Sequence, residues 1–178
     1  MCSIRIVDAN GTELPAGEIG EIVVISDANA VGYWNRPQQT AETFRPTGLW
    51  SGDLGFLDSE RYLHITGRKT DMIISGGFNV YPAEIERVIG HHEGVDLVAV
   101  VGVPDSEWGE TPTAVVVPRP GFGTESLTAE LTALCRAELA GYKQPRRFEF
   151  RSELPLGPAG KILKRAILDE LMTTGATK

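Results

Sequence analysis

The sequence predicts an α+β protein: a β-rich partial subdomain followed by a compact α+β domain with a small central sheet flanked by helices. Two observations predict this class. Short alternating stretches dominate the first 69 residues, whereas from Asp71 onward apolar runs of strand length alternate with stretches of helical periodicity. The pattern changes at Lys69-Thr70, so we place one domain at 1–69 and another, of a common domain size, at 70–178.

Composition narrows the function classes. The chain has 178 residues and a formal net charge of −7, which disfavours a general nucleic-acid surface. No apolar run approaches the roughly 20 residues of a membrane span. Its two cysteines, Cys2 and Cys135, form no disulfide framework, which predicts a reducing cytoplasm. The histidines lack the partner spacing of a zinc site, so we predict no metal site in this chain.

In the first domain, Ile4 and Ile6 alternate with polar residues and predict a strand, and residues 21–25 predict a second one. Asn35 is expected to cap a short helix with Pro37 in its first turn. The stretches "LWSGDLGFLD" and "RYLHITG" predict a hairpin. Several of these strands have no evident partner, so we expect the front of a larger protein to be missing.

The second domain alternates strands and helices. A short strand around Ile73 ends at Gly76-Gly77, and "YPAEIERVIG" predicts a helix with Pro82 in its first turn. The near-continuous apolar runs "VDLVAVVGV" and "TAVVVP" predict buried strands. "SLTAELTALCRAELAG" predicts a helix capped by Ser126. "RRFEF" and "ILKRAILDELM" predict a last strand and a last helix.

Three polar residues lie at or near the domain boundary. Asp53 lies between two strand-like runs, where a carboxylate could accept hydrogen bonds from a vicinal diol such as a ribose, or could serve as a turn aspartate. Arg68 offers a planar fork for phosphate or carboxylate, or a surface ion pair. Thr70 could be a hinge or part of an ordinary linker.

Three further stretches could carry chemistry. Gly76-Gly77 permits close approach of a ligand or a positive-φ hairpin turn, and the turn is favoured. Lys161 follows a Pro/Gly-rich loop at a helix start, where it could reach an anionic transition state or simply be solvated. The densest basic cluster and a loop tryptophan could hold a nucleotide, or form a solvated face and a core residue; they are Lys143, Arg146, Arg147 and Trp108.

The order of these motifs closely resembles one family. "LWSGDLGFLD", "YLHITGRKTDMIISGGFNVYPAEIERVI", "VVGVPDSEWGETPTAVVV" and "LPLGPAGKILKR" follow one another as in the C-terminal third of the adenylate-forming enzymes. That family comprises acyl- and aryl-CoA synthetases, firefly luciferase and peptide-synthetase adenylation domains. The resemblance implies two half-reactions. ATP, with Mg²⁺, and a carboxylic acid give an acyl-adenylate; a thiol such as that of CoA then displaces AMP after the C-terminal domain swings about a hinge.

The resemblance also implies residue roles. Asp53 would bind the ribose hydroxyls of ATP, Arg68 would help to hold the nucleotide, and Lys161 would bridge the carboxylate and the α-phosphate. Thr70 matches the hinge, although many relatives carry Asp or Lys there. The residues implied in CoA binding are Gly76, Gly77 and Phe78 at the pantetheine tunnel, and Trp108, Tyr142, Lys143, Arg146 and Arg147 at the nucleotide.

The form "DMIISGGFNVYPAEIE" favours a fatty-acyl- or aryl-CoA ligase. A peptide-synthetase adenylation domain, which would use a carrier-protein thiol, stays open as an alternative, as does a non-catalytic interaction module. The Ser/Thr/Gly-rich phosphate loop and the acyl pocket of the family have no counterpart in this sequence. We therefore expect a C-terminal fragment without adenylation activity of its own, whose carboxylic acid substrate the sequence does not identify.

Overall fold

The computed structural model describes residues 2–175, which divide into two compact units, Met1–Thr70 and Asp71–Lys178. Each unit contains one five-stranded sheet. The predicted α+β class is confirmed. Thr70, the predicted hinge, is the last residue of the first unit and the middle residue of a 3₁₀ turn, Lys69–Asp71.

The first unit is an antiparallel sheet with one short helix. Its strands follow the order β1-β2-β4-β3, and β5 also pairs with β4. Val7, Val23 and Trp50 form its buried cluster. The elements are β1 (Cys2–Val7), β2 (Gly20–Ser26), α1 (Pro37–Thr43), β3 (Phe44–Arg45), β4 (Gly48–Leu57) and β5 (Leu63–Arg68).

The second unit is built on a long antiparallel hairpin. Strand β9 pairs with β8 over most of its length, with β10 in parallel, and with β6 through a single residue pair. The elements are β6 (Ile73–Ser75), β7 (Phe78–Val80), α2 (Pro82–Gly90), β8 (Val95–Asp105), β9 (Gly109–Pro118), α3 (Thr124–Glu138), β10 (Arg147–Phe150) and α4 (Lys164–Gly175).

Helices cover both faces of this second sheet. Side chains of a strand alternate between its faces, and here Val100 packs with α2 and α3 while its neighbour Ala99 packs with α4. The two resulting cores include Ile85 and Leu131 on one face and Ile167 on the other, all with 0% exposure. Burial on both faces explains why the two central strands are apolar without alternation.

Two predicted helix caps are wrong. Helix α1 begins after Arg36, with no side-chain cap, and Asn35 has a φ of 51°, the left-handed conformation that asparagine tolerates in turns. Helix α3 begins at Thr124 after Gly123, so Ser126 lies inside the first turn, where its hydroxyl donates to the Gly123 carbonyl at 3.0 Å. In both cases the chain turns by backbone conformation, without a capping side chain.

Both cysteines are free thiols. Cys2 is exposed, whereas Cys135 is buried in the core beneath α3. Burial, together with the negative charge of Glu138, raises the pKa of the Cys135 thiol to about 11. Within the part of the chain that the structure describes, no helix has the length and apolar character needed to cross a bilayer.

One carboxylate ties together the helices on the two faces. Strand β8 lies at the edge of the sheet, and the Val100 N–H at that edge donates to Glu86 Oε1 of α2 at 2.7 Å. Lys164, the first residue of α4, places its ammonium 2.7 Å from the same oxygen. Glu86 therefore satisfies a strand-edge donor and pairs with the helix on the opposite face.

We expect Glu86→Ala to destabilise the second unit by about 1–3 kcal/mol, because it leaves the Val100 N–H without its acceptor and leaves the Lys164 ammonium with only the 4.0 Å contact to Asp71. Urea unfolding, followed by hydrogen exchange of peptides from 82–105, measures the loss. The control is Glu93→Ala, which removes an exposed carboxylate from the loop after α2. Equal stability of the two variants would show that the Glu86 contacts contribute nothing.

Candidate functional site

Asp53 and Arg68 form an ion pair between adjacent strands. They are register partners on β4 and β5, and Arg68 Nε lies 2.8 Å from Asp53 Oδ1. The Asp53 side chain is 32% exposed and that of Arg68 is 57% exposed. Asp53 therefore lies within a strand, not in a turn, and the pair presents an accessible carboxylate beside an accessible guanidinium.

Both strands are irregular next to this pair. Gly52, immediately before Asp53, has a φ of +74°, and a side chain added there would meet no atom within 4 Å. The register of β4 shifts against β2 on one side and against β5 on the other. Gly52 is therefore required for backbone conformation, and not for space.

A buried carboxylate lies beside the predicted hinge. Lys69, the residue before Thr70, places its ammonium 2.8 Å from Glu21 Oε2 of β2. The Glu21 side chain is only 9% exposed. This ion pair fastens the last residues of the first unit to its sheet, up to the position before Thr70. No sequence motif predicted a role for either charge.

Gly76 and Gly77 form the turn of the β6–β7 hairpin, which confirms the favoured interpretation. Their φ values are 57° and 83°, and Ser75 pairs with Phe78 on either side of them. The Gly76 N–H donates to the Trp108 carbonyl at 2.9 Å. A Cβ at Gly76 would lie 2.7 Å from Trp108 Cε3, so the indole ring requires glycine there.

Trp108 lies in the tight turn between β8 and β9. The guanidinium of Arg146 lies over its ring, and the Cζ atom is 4.2 Å from the ring centroid. Asp105 Oδ1 accepts the backbone N–H groups of Glu107 and Trp108, each at 2.9 Å. The hydrogen bond from the Trp108 backbone N–H lowers the pKa of the Asp105 carboxyl most, and the one from the Glu107 N–H lowers it further. Trp108 is only half-buried, so it is not a core residue.

Phe78 and Tyr142 stack beside this turn, with ring centroids 4.7 Å apart, and remain 55% and 37% exposed. We name the surface that they share the aromatic–basic patch; it comprises Gly76, Gly77, Phe78, Trp108, Tyr142, Lys143 and Arg146.

Acidic residues neutralise much of the predicted basic cluster. The Lys143 ammonium contacts both carboxylate oxygens of Glu84 on α2, at 2.8 and 2.7 Å. Arg147 pairs with Glu149 along β10. The sequence offered no signal for the Lys143 pair, because its members are 59 positions apart. Arg146 instead lies over the Trp108 ring, where its charge also helps to lower the pKa of the Asp105 carboxyl.

Lys161 projects from a small hairpin, not from an irregular loop. Leu156 and Ile162 form a bridge, the Gly157 N–H donates to the Lys161 carbonyl at 2.8 Å, and Gly160 closes the turn with a φ of 73°. The backbone of Lys161 is therefore fixed while its side chain is exposed. Among residues 2–175, Lys161 has no ion pair.

The Lys161 hairpin and the aromatic–basic patch belong to opposite faces of the second sheet. Ile162, the neighbour of Lys161, packs against the core beneath α4. Val80 packs into the core beneath α2 and α3, and Phe78, two residues earlier on the same strand, lies on the same side. The unit thus presents an exposed ammonium from one face and an aromatic surface from the other.

Within the described residues, no three His, Cys, Asp or Glu side chains are grouped to hold a metal ion. The described side chains offer charge and shape: a carboxylate–guanidinium pair, an exposed ammonium and a stacking surface.

Comparison with known proteins identifies the family. Residues 84–161 match the AMP-binding enzyme C-terminal domain. The chain is 47% identical to a feruloyl-CoA synthase of an Amycolatopsis species, over 90% of this chain and 32% of that protein. It is 46% identical to a long-chain-fatty-acid–CoA ligase of Bacillus subtilis, over 86% of the chain and 27% of that protein. It is 40% identical to a fatty acid–[acyl-carrier-protein] ligase of Streptomyces coeruleorubidus, over 98% of the chain and 33% of that protein.

Solved structures agree with these relatives. The anthranilate CoA ligase AuaEII in complex with anthranoyl-AMP matches with a TM-score of 0.90 and 34% identity, over 99% of this chain and 34% of its own. MatB of Rhodopseudomonas palustris, 40% identical, matches over 95% of this chain and 34% of its own. Its ATP-bound structure gives a TM-score of 0.85 and its apo structure a TM-score of 0.70.

The chain thus spans about a third of the length of the relatives that it matches. As the resemblance of its motifs predicted, it contains an AMP-binding enzyme C-terminal domain, and the relatives and solved structures that it matches are adenylate-forming ligases of the CoA-ligase type.

Proposed function

We propose that the chain acts as the C-terminal part of an ATP-dependent, AMP-forming acyl-CoA ligase in the cytoplasm. The whole enzyme joins a carboxylic acid to ATP, releases pyrophosphate, and then transfers the acyl group from the adenylate to the thiol of CoA. One observation carries the proposal: the second unit presents Lys161 and the aromatic–basic patch on opposite faces. Rotation of such a unit would bring each face in turn to one reaction centre.

Lys161 serves the first half-reaction. Its ammonium approaches the carboxylate and the α-phosphate, and offsets the negative charge that develops as these two anions combine. The hairpin backbone supports this role because it fixes the start of the side chain, and within residues 2–175 the exposed ammonium pairs with no carboxylate that it would have to leave. A Mg²⁺ ion on the phosphates would supply further charge neutralisation.

Asp53 and Arg68 hold the nucleotide. The accessible carboxylate of Asp53 accepts hydrogen bonds from the ribose hydroxyls, and Arg68 orients that carboxylate through the bond to Oδ1. Arg68 is exposed enough to contact the nucleotide as well. Two solved structures with bound nucleotide or adenylate among the relatives support a nucleotide as ligand.

Thr70 is the hinge of the proposed rotation. It lies at the junction of the two units, directly after Lys69, which Glu21 fastens to the first sheet. The lower TM-score of apo MatB (0.70) than of ATP-bound MatB (0.85) across the matched region supports such a motion. Because the residues before Thr70 are fastened, the change of backbone angles is confined to a short segment.

The aromatic–basic patch serves the second half-reaction. Gly76 and Gly77 have no side chains, so the pantetheine arm of CoA can pass close to their backbone. Phe78 and Tyr142 offer a stacking surface for the adenine of CoA. Arg146 supplies positive charge for the CoA phosphates. The contribution of Lys143 and Arg147 is reduced, since Glu84 and Glu149 already pair with them.

A carrier-protein thiol is the second candidate acceptor. The relative named as a fatty acid–[acyl-carrier-protein] ligase matches 98% of this chain, and neutralisation of two basic residues weakens the electrostatic argument for CoA. Competition between CoA and a phosphopantetheinylated carrier protein for one supplied acyl-adenylate decides between them. Thioester formation on CoA supports the leading proposal, and formation on the carrier protein alone supports the second candidate.

A ligase chimera provides the test of Lys161. It joins this chain to the N-terminal two-thirds of the Amycolatopsis feruloyl-CoA synthase that it matches. We expect Lys161→Ala to slow pyrophosphate release by about a hundredfold or more, the effect of losing one transition-state donor. Thioester formation from supplied acyl-adenylate should stay near the wild-type rate. The matched control is Arg165→Ala, which removes a cation that is 85% exposed on α4. Equal loss in both half-reactions would contradict the assignment of Lys161 to the first one.

In the same chimera, we expect Gly76→Ala to raise the KM for CoA by about tenfold or more, because the methyl group collides with Trp108 and displaces the turn. Pyrophosphate release should change little. Gly121→Ala is the control: its φ of +95° also lies in the positive-φ region that disfavours alanine, but no atom lies within 4 Å of the added methyl group. An unchanged KM in Gly76→Ala would remove this turn from the CoA site.

A further inference from the structure

The strand that carries Asp53 contains an insertion that the strand beside it lacks. Glu21 pairs with Leu54, and Val23 pairs with Trp50. Between these pairs, a single residue of β2, Ile22, faces three residues of β4, numbered 51–53. The usual ladder of backbone hydrogen bonds between β2 and β4 is therefore interrupted at Asp53, the residue proposed to bind the ribose.

Ser51 repairs this interruption with its side chain. Its hydroxyl donates to the Ile22 carbonyl at 2.9 Å and accepts the Asp53 N–H at 3.1 Å. One half-buried oxygen thus satisfies a backbone acceptor on β2 and a backbone donor on β4. The positive φ of Gly52 turns the chain between the two residues that this hydroxyl connects.

The repaired insertion sets the position of Asp53. Its N–H is held by Ser51, and its carboxylate is held by Arg68 Nε at 2.8 Å. Without the hydroxyl, the Asp53 N–H would lose this partner, and the Asp53 side chain would be held by the ion pair, which is more than half exposed on the arginine side. An exposed ion pair contributes little by itself and fixes a side chain weakly.

We propose that Ser51 is a positioning residue for nucleotide recognition: its hydroxyl spans the β2–β4 insertion and holds Asp53 where it can bind both ribose hydroxyls. This inference rests on the proposed function for the ligand of Asp53. The hydroxyl itself contacts only the backbone, so Ser51 does not touch the nucleotide. Its removal should therefore reduce discrimination at the ribose more than the rate of the chemical step.

The first experiment measures ribose discrimination in the ligase chimera, as the ratio of kcat/KM for ATP to that for 2′-deoxyATP and for 3′-deoxyATP. The expected ratio falls by about tenfold in Ser51→Ala, as for loss of a hydrogen bond to a charged group. Ser51→Thr, which keeps the hydroxyl, should restore the wild-type ratio. A purely structural role would instead lower kcat/KM for all three nucleotides alike, and that result would overturn the proposal.

Asp53→Ala separates this inference from the proposed function. If wild type and Asp53→Ala both treat ATP and the deoxynucleotides alike, the ribose role of Asp53 fails. If Asp53→Ala loses discrimination while Ser51→Ala keeps it, the role of Asp53 stands and that of Ser51 is wrong.

The second experiment needs no activity and uses the chain as it is. Amide hydrogen exchange by NMR should show the Asp53 N–H exchanging at least about tenfold faster in Ser51→Ala than in wild type, and at the wild-type rate in Ser51→Thr. The Val23 and Val100 amides, one from each unit, report whether the variant is folded. Unchanged exchange at Asp53 in a folded Ser51→Ala variant would overturn the proposal, whatever the chimera does.

Discussion

A sheet covered by helices on both faces can offer reactive groups only at its edges, its turns and the loops beside its helices. The second unit obeys this constraint, because Ala99 and Val100 enter different cores from adjacent positions of one strand. The Lys161 hairpin therefore lies on the face of the sheet that α4 covers, and the glycine turn lies on the face that α2 and α3 cover. Separation of the Lys161 hairpin from the aromatic–basic patch is thus a consequence of how the central hairpin is buried, and the proposed rotation would allow one substrate to meet both.

Electrostatics refines what each surface offers. The basic cluster in the sequence suggested an anion site, but Glu84 and Glu149 neutralise Lys143 and Arg147. If the patch binds CoA as proposed, recognition would depend mainly on stacking and shape, with positive charge from Arg146 over the Trp108 ring. Lys161 has the opposite character, since it keeps an exposed ammonium on a fixed backbone. One surface is suited to binding a large, partly aromatic ligand, and the other to stabilising charge during a reaction.

Local periodicity predicted the parts of the fold that depend on neighbours in sequence. Helix α2, with Pro82 in its first turn and Ile85 on its inner face, and the apolar strands β8 and β9 follow from that periodicity. The helix caps at Asn35 and Ser126 did not form as expected, because backbone turns replaced them. The Ser51 insertion and the Glu84–Lys143 pair join positions far apart in the chain. Such contacts depend on strand register and on packing between helices, which no single stretch of sequence specifies.

The free thiols allow rotation about Thr70 to be tested directly by pulsed electron spin resonance. In the ligase chimera, with its N-terminal portion made free of cysteine, exposed Cys2 and an introduced Arg165→Cys would carry spin labels, while burial protects Cys135. The distance between the labels is measured with ATP and carboxylic acid, and again with CoA and AMP. The account predicts two different distance distributions, one for each set of ligands. A single distribution, the same under both conditions, would contradict it.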